Sequence, residues 1–314
     1  MKKNIFIIAI ALTLSLCDKS SWIMLAQQDV QFTQYMFNTV AVNPGYTGSR
    51  DALSVLGLYR NQWAGFEGAP TTQMVNINSP AFKDRLGLGL TFINEKIGPT
   101  QQTGLFGDVA YRIKLKKSYI AFGIRGGADF YQVKLTTLNL INGSDQQFQN
   151  NVTTKILPNF GAGAYYYTDK FYFGFSTPRL VENEIVNRAG TVNTSQLSGK
   201  QIHFYFIAGY VKEINQFIKF KPTLQTKITY GAPVSIDVNA SFLFYEKLWV
   251  GAMYRMGDAV GALLQFQFSP QLRAGYSYDF TISKLRSYSG STHEIMLGYD
   301  FSFFKEKIKS PRYF

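Results

Sequence analysis

The chain has 314 residues, of which 46% are hydrophobic and 16% aromatic, and it contains 27 glycines, so it is long enough to bury a large core in one all-β domain. The formal net charge is +12, and the mean hydropathy of -0.07 fits apolar residues that alternate with polar ones. Beyond the N-terminus no apolar stretch reaches the roughly 18 residues of a helical membrane span, which excludes a helical membrane protein.

Residues 1–26 have the features of a secretory signal peptide. Two lysines precede an apolar run over residues 5–16, which is too short to cross a bilayer. We expect Sec-type export and cleavage after Ala26, with lipidation of Cys17 as the alternative. Because Cys17 is the only cysteine, we expect no disulfide and no thiolate metal site. An exported chain does not meet nucleic acid, so its positive charge fits lipid headgroups or an acidic partner better.

Residues 27–51 form an N-terminal periplasmic or plug segment in our interpretation, since they show neither strand periodicity nor linker composition. The aromatic residues between positions 32 and 37 fit one apolar face of a short helix. That helix has to end before Asn43-Pro44-Gly45, because proline disfavours helical backbone in the residue before it. We expect the segment to dock inside a barrel lumen or against the periplasmic rim.

Residues 52–304 alternate between apolar and polar side chains, as Ile295, Leu297 and Tyr299 do with Glu294 and Met296. The pattern predicts a transmembrane antiparallel β-barrel of about 14 strands, an even number as in bacterial single-chain barrels. The predicted strands are 52–61, 71–79, 85–94, 102–115, 118–134, 156–168, 171–177, 202–213, 217–229, 234–245, 247–256, 260–269, 271–282 and 293–304.

The connections between these strands indicate a membrane barrel and not a soluble sandwich. Tight connections fall at 116–117, 168–170, 214–216, 246 and 270, and long ones fall near 135–155, 178–201 and 283–292. All the long connections lie at one end if both termini lie at the other, which is how outer-membrane barrels sort their loops. Residues 305–314 would then be a periplasmic C-terminal tail.

Charged side chains in the strands are expected to face the lumen, because a charge at the bilayer midplane on the lipid face costs roughly 2–4 kcal/mol. They are Asp108, Asp129, Asp237, Asp279, Glu294, Asp300, Arg112, Arg125, Arg255, Arg273, Lys219, Lys221 and Lys227. An ionic lattice that holds a narrow barrel closed explains them better than a transport path or a proton relay, because paired charges offset each other's desolvation. The closely spaced glycines at 87 and 89, and at 123, 126 and 127, would make room for a plug.

Catalytic, metal and cofactor sites are not predicted. His203 and His293 are the only histidines, so a site of histidine and carboxylate ligands would need distant strands to meet. A Ser/His hydrolase that uses His293 is the enzymatic alternative.

Several short strings resemble the PorP/SprF family of type IX secretion membrane proteins. They include Gln34-Tyr35-Met36, Asn43-Pro44-Gly45, Arg60 to Trp63, Phe66 to Pro70, Thr292 to Ile295 and Ser310 to Phe314. The resemblance implies a non-enzymatic barrel in the outer membrane of a Gram-negative bacterium. It also implies periplasmic ring lipoproteins, a peptidoglycan-binding OmpA-like lipoprotein and, in gliding bacteria, a secreted adhesin or cargo as partners.

The matching strings supply our candidate partner-binding residues. They are Gln34, Tyr35, Asn43, Pro44, Arg60, Trp63, Phe66, Pro70, His293, Glu294, Arg312 and Phe314. Trp63 and Phe66 are either partner anchors or aromatics at headgroup depth, and Phe314 is either a partner contact or an assembly signal. A porin or a channel for hydrophobic substrates remains the alternative function.

Overall fold

Fourteen strands form a closed antiparallel barrel in which each strand pairs with the next, so the predicted fold is confirmed. The structure is a computed structural model. It describes residues 30–82, 85–137, 151–153, 156–184, 194–196, 202–230, 232–287 and 290–301. The last strand closes on the first, with Phe301 opposite Leu53 and His293 opposite Asn61.

The bounds of the strands agree with the alternation in the sequence. They are β1 Leu53–Asn61, β2 Thr71–Ala81, β3 Leu86–Ile97, β4 Thr100–Lys114, β5 Tyr119–Val133, β6 Leu157–Tyr167, β7 Phe171–Thr177, β8 His203–Tyr210, β9 Ile218–Thr229, β10 Ser235–Phe244, β11 Leu248–Arg255, β12 Ala259–Gln267, β13 Leu272–Thr281 and β14 Thr292–Phe301. Short strands at Val152–Thr153 and Lys212–Glu213 pair with β5 and β9, and Glu182–Glu184 pairs with Thr194–Gln196.

Among the described residues, helical structure is confined to single turns. The α-helix α1 spans Thr39–Val42, and 3-10 turns lie at Pro44–Tyr46, Leu135–Thr137 and Lys284–Ser287. In the part of the chain that the structure describes, no helix is long and apolar enough to cross a membrane.

The two faces of each strand differ as the alternation predicts. In β14 Ile295 and Leu297 are 54% and 55% exposed on the outside, whereas Glu294 and Met296 are fully buried on the inside. The exposed apolar side chains form the band expected to face lipid. The thirteen charged residues assigned to the lumen are buried or half-buried.

The two ends of the barrel differ in the length of their connections. Connections 62–70, 134–156, 178–202, 230–234 and 282–291 lie at one end, here called the long-loop end. Connections 82–85, 115–118, 168–170, 211–217, 245–247 and 268–271 lie at the other, the short-turn end, where β1 also begins and β14 ends. Two tight connections, 98–99 and 256–258, join strands at the long-loop end, so the sorting by length is not strict.

Some predicted boundaries differ from the observed ones. Strand β3 continues to Ile97, because residues 94–97 still pair with β4. Strand β8 ends at Tyr210, three residues earlier than the alternation suggests. The signal peptide, residues 302–304 and the tail 305–314 lie outside the described residues.

The orientation of the barrel can be tested with single cysteines after Cys17 is replaced by serine. Phe66 is exposed at the long-loop end and Lys116 at the short-turn end. We expect a membrane-impermeant maleimide to label Phe66→Cys on intact cells and Lys116→Cys only after the outer membrane is permeabilised. The reverse pattern would contradict the assignment of the long loops to the outside.

Candidate functional site

The lumen is occupied by residues 30–52, here called the lumenal segment. Gln31 donates to Asp237 near the long-loop end of β10 at 3.3 Å. Further along, Ser176 of β7 donates to the carbonyl of Val42 at 2.7 Å. Arg50 reaches Asp300 at the short-turn end of β14. The segment therefore runs through the barrel from the long-loop end to the short-turn end and contacts opposite walls.

The Asn43-Pro44-Gly45 string bends the lumenal segment and attaches it to the wall. The Asn43 side-chain oxygen accepts from the Gly45 amide at 2.8 Å, and its nitrogen donates to the carbonyl of Ala164 at 3.0 Å. Pro44 begins the 3-10 turn that follows α1. One asparagine thus terminates the helical turn and ties it to β6.

Wall glycines provide the space for this bend. A Cβ atom at Gly87 would overlap the carbonyl of Thr47, and one at Gly123 would overlap the backbone of Pro44. Gly89 also lies against Thr47. Gly126 and Gly127 contact neighbouring wall residues instead. Three of the five closely spaced glycines therefore make room for the segment.

Glu294 holds the part of the lumenal segment nearest the long-loop end. Its carboxylate accepts from the amides of Thr33 and Gln34 at 3.0 and 2.9 Å. Arg60 of β1 lies 3.0 Å from the same carboxylate and donates to the Thr33 hydroxyl at 2.8 Å. Arg60 also pairs with Asp279 at 3.4 Å. Backbone and hydroxyl groups of the segment thus complete an ion-pair cluster on β1, β13 and β14.

Two further arginines bind backbone carbonyls of the segment. Arg125 of β5 pairs with Asp108 at 2.6 Å and donates to the carbonyl of Val40 at 2.8 Å. Arg112 of β4 donates to the carbonyl of Gly48 at 2.9 Å and pairs with Asp51 at 2.5 Å. Because each guanidinium has several donors, it can satisfy a carboxylate and an orphan carbonyl at once.

At the short-turn end two guanidinium groups share one buried carboxylate. Asp300 lies 2.9 Å from Arg50 of the segment and 2.9 Å from Arg273 of β13. All three residues are at least nine-tenths buried. Removal of one partner from a buried ion pair typically costs about 3–5 kcal/mol, because the other charge loses its compensation. Asp300 therefore fixes the segment where it joins β1.

An aromatic contact fixes the middle of the segment. The ammonium group of Lys221 in β9 lies 4.9 Å from the ring of Phe37 and 5.4 Å from that of Trp249. Phe37 and Trp249 are themselves 5.8 Å apart. Such cation–π contacts contribute more where water is excluded, and Lys221 is fully buried.

The sequence was compared with known proteins. The family model of the type IX secretion system membrane protein PorP/SprF matches residues 24–299. The chain belongs to the PorP/SprF family. It is therefore an outer-membrane barrel of the type IX secretion system, and the family resemblance of the short strings is confirmed. Among curated proteins, no sequence matches this chain.

Solved structures with a similar fold are outer-membrane barrels. The CymD monoaromatic hydrocarbon channel has a TM-score of 0.52 at 11% identity, covering 86% of this chain and 93% of the channel. Omp33 of Acinetobacter baumannii has a TM-score of 0.47 at 8% identity, covering 80% of this chain and 99% of Omp33. A FadL homologue of Pseudomonas aeruginosa has a TM-score of 0.45 at 12% identity, covering 85% of this chain and 94% of the homologue. At these identities the likeness concerns the fold alone.

Half of the predicted partner-binding residues of this PorP/SprF barrel lie inside it. Gln34, Tyr35, Asn43, Pro44, Arg60 and Glu294 are buried within the lumen. The Tyr35 phenol oxygen lies 3.0 Å from the Thr223 hydroxyl. These side chains contact the lumenal segment or belong to it.

Trp63, Phe66 and Pro70 lie in the β1–β2 connection at the long-loop end. Trp63 has a left-handed backbone with φ 55°, and its amide donates to the Thr292 hydroxyl at 3.2 Å. Phe66 is 51% exposed. The connection is therefore anchored to β14 and presents Phe66 outward.

His293 lies on the outer face of β14, opposite in direction to Glu294. Its Nδ1 atom is 2.7 Å from the Tyr276 hydroxyl, and its ring meets the edge of Tyr278 at 5.3 Å. Among the described residues there is no cluster of three metal-binding side chains. Arg312 and Phe314 fall outside the described residues.

Sequence reasoning did not identify Thr33, Arg50 and Arg125 as contacts of the lumenal segment. Alternation placed Arg125 in the lumen, but no signal in the sequence shows which carbonyl it meets. Arg50 lies in the segment itself, next to the predicted first strand. Arg50 precedes Asp300 by 250 residues in the sequence, and only closure of the barrel brings the two residues together.

Replacement of Asp300 by asparagine should destabilise the barrel by about 3–5 kcal/mol, since Arg50 and Arg273 would lose their shared countercharge. Glu246→Gln is the matched control, because Glu246 pairs with Lys219 at the partly exposed rim and such pairs contribute about 1 kcal/mol or less. The free energy of unfolding in urea, followed by tryptophan fluorescence in lipid vesicles, measures both. An equal loss of unfolding free energy in Asp300→Asn and Glu246→Gln would mean that the buried cluster does not fix the segment.

Proposed function

We propose that this barrel is a non-enzymatic platform of the type IX secretion system that connects a secreted adhesin to the periplasm. The filled lumen is the observation that carries the proposal. Buried charges hold the lumenal segment at both ends, so the barrel interior serves as a scaffold more readily than as a passage. Function then has to reside at the two ends of the barrel.

The long-loop end is the proposed site for the exported partner. Connections 134–156 and 178–202 are the longest, and loops carried by a rigid scaffold are where binding residues concentrate. The β1–β2 connection adds Trp63, Phe66 and Pro70, with Phe66 exposed as an aromatic anchor. His293 lies at the same end on the outer face.

The short-turn end is the proposed site for periplasmic ring or peptidoglycan-binding lipoproteins. Strand β14 ends there, so the tail with Arg312 and Phe314 would continue from that side. The buried candidates Gln34, Tyr35, Asn43, Pro44, Arg60 and Glu294 are proposed to act indirectly, by fixing the lumenal segment on which the shape of both ends depends.

A channel for small apolar molecules is the second candidate, because a cavity lies between the lumenal segment and the wall. It is lined by apolar residues that include Val30, Phe32, Met74 and Phe106, and by Arg125 and Arg179. The lumenal segment itself lines this cavity through Val30, Phe32, Ala41 and Val42, however. Both arginines pair with carboxylates, Arg125 with Asp108 and Arg179 with Asp129.

Planar-bilayer recordings distinguish the platform from the channel. The wild-type barrel should conduct almost no current. Gly123→Val should push the segment away from β5 and produce a conductance, because the new side chain would overlap Pro44. Gly57→Val is the control, since a Cβ at Gly57 meets nothing within 4 Å. Steady wild-type conductance would favour the channel, and equal conductance of both variants would show that the contact of Gly123 with the segment does not close the lumen.

Removal of residues 136–153 from the long connection should abolish surface display of the adhesin and leave the barrel folded. Replacement of the opposite 245–247 turn by Gly-Asn-Gly is the control for general damage. Antibody labelling of the adhesin on intact cells measures display, and heat-dependent gel mobility reports barrel folding. Normal display of the adhesin after loop removal would contradict the assignment of the long-loop end to the exported partner.

Affinity purification of the tagged wild type from solubilised membranes should also recover secretion components.

A further inference from the structure

Cations at the short-turn end are concentrated on one side of the barrel. Arg85 in the β2–β3 turn and Lys114, Lys116 and Lys117 at the β4–β5 turn are exposed. We call these four residues the basic arc. In the described chain, ion pairs at this end join other residues, such as Lys170 with Glu213 and Lys219 with Glu246. The arc therefore presents positive charge without a carboxylate partner among the described residues.

The basic arc is one continuous surface. The amide of Arg112 in β4 donates to the carbonyl of Arg85 at 2.7 Å, which joins the two turns directly. The ammonium of Lys114 lies 5.9 Å from the Tyr119 ring. The exposed carboxylate of Asp51 is nearby, but it is paired with buried Arg112 at 2.5 Å. Lys83 and Asp84 precede Arg85 in the sequence, and their opposite charges cancel.

The sequence that follows β14 is also positively charged. Strand β14 pairs with β1, and β1 pairs with β2, so β14 ends two strands from the β2–β3 turn. Between residues 302 and 314 the sequence has four cations and one glutamate.

On the remainder of the short-turn end, positive and negative charges balance. The turns from β6 to β11 contain three carboxylates and three lysines, namely Asp169, Glu213, Glu246, Lys170, Lys212 and Lys247. Lys170 pairs with Glu213, and Lys219 at the start of β9 pairs with Glu246. A lipid leaflet surrounds a barrel evenly, so anchoring to anionic headgroups would place cations all around the rim. A one-sided patch fits a partner that approaches from one side.

We propose that the basic arc docks an acidic surface of a periplasmic protein. The proposal rests on the platform function, which places the short-turn end in the periplasm. Lysine and arginine patches steer acidic partners and fix their orientation. Phe82 in the same turn is 74% exposed and supplies an apolar contact within the charged surface.

Two charge-reversal variants with the same change in net charge test the proposal. The arc variant combines Lys114→Glu, Lys116→Glu and Lys117→Glu. The control reverses three lysines elsewhere on the rim, namely Lys170, Lys212 and Lys247. The probe is a fluorescent polyglutamate peptide, and its binding to each barrel in zwitterionic nanodiscs is measured by anisotropy.

Wild type and control should bind the peptide with affinities within about twofold of each other, and the arc variant about tenfold more weakly. Added salt should weaken wild-type binding. Equal losses in both variants would overturn the proposal, since net charge and not the arc would then decide binding.

Photocrosslinking in cells identifies the natural occupant. A benzoylphenylalanine at position 116 should give an adduct with one protein whose crosslinked peptide is rich in aspartate and glutamate, and position 170 should not. Arc-dependent binding to phosphatidylglycerol vesicles without any protein adduct would assign the arc to lipid and overturn the proposal. Loss of the position-116 adduct when Lys114→Glu and Lys117→Glu are added, with normal adhesin display, would separate this docking from the platform function.

Discussion

Exclusion of charge from hydrocarbon is the constraint on which the rest of the structure depends. A charged side chain on the lipid face of a strand costs roughly 2–4 kcal/mol at the midplane, so the charged residues of the strands face inward. Inside a narrow barrel they meet a second requirement, because buried charges need partners and hydrogen bonds. The lumenal segment meets it with Arg50, with hydroxyl groups and with backbone amides and carbonyls. Wall and segment therefore stabilise each other.

This mutual dependence gives the PorP/SprF barrel a rigid interior and leaves recognition to its ends. Glu294 and Arg60 hold the segment near the long loops, and Asp300 holds it near the short turns. A segment fixed at both ends keeps the strands from shifting relative to one another. The long connections at one end and the basic arc at the other are then carried on a scaffold of constant shape, which the proposed platform function requires.

The short strings that resemble the family acquire a physical meaning from the structure. Asn43 caps a helical turn and binds the β6 backbone, and Gln34 donates its amide to Glu294. Gly123 gives the bend its space. Asn43 and Gln34 were candidates for partner binding, yet their described contacts lie within the chain itself. Phe66, in contrast, lies in one of these strings and remains exposed.

The sequence by itself determined the barrel. Period-two alternation specifies both faces of each strand, and turn residues specify its ends, because both signals are local. The same alternation placed thirteen charges in the lumen, whereas Arg60, in a strand whose alternation is less regular, was placed there only by the structure. Only the tertiary structure decided how those charges pair, since Arg50 meets Asp300 and Gln31 meets Asp237 across a closed circumference. The position of the lumenal segment was decided in the same way, because its contacts are distributed over strands distant in sequence and no local pattern encodes them.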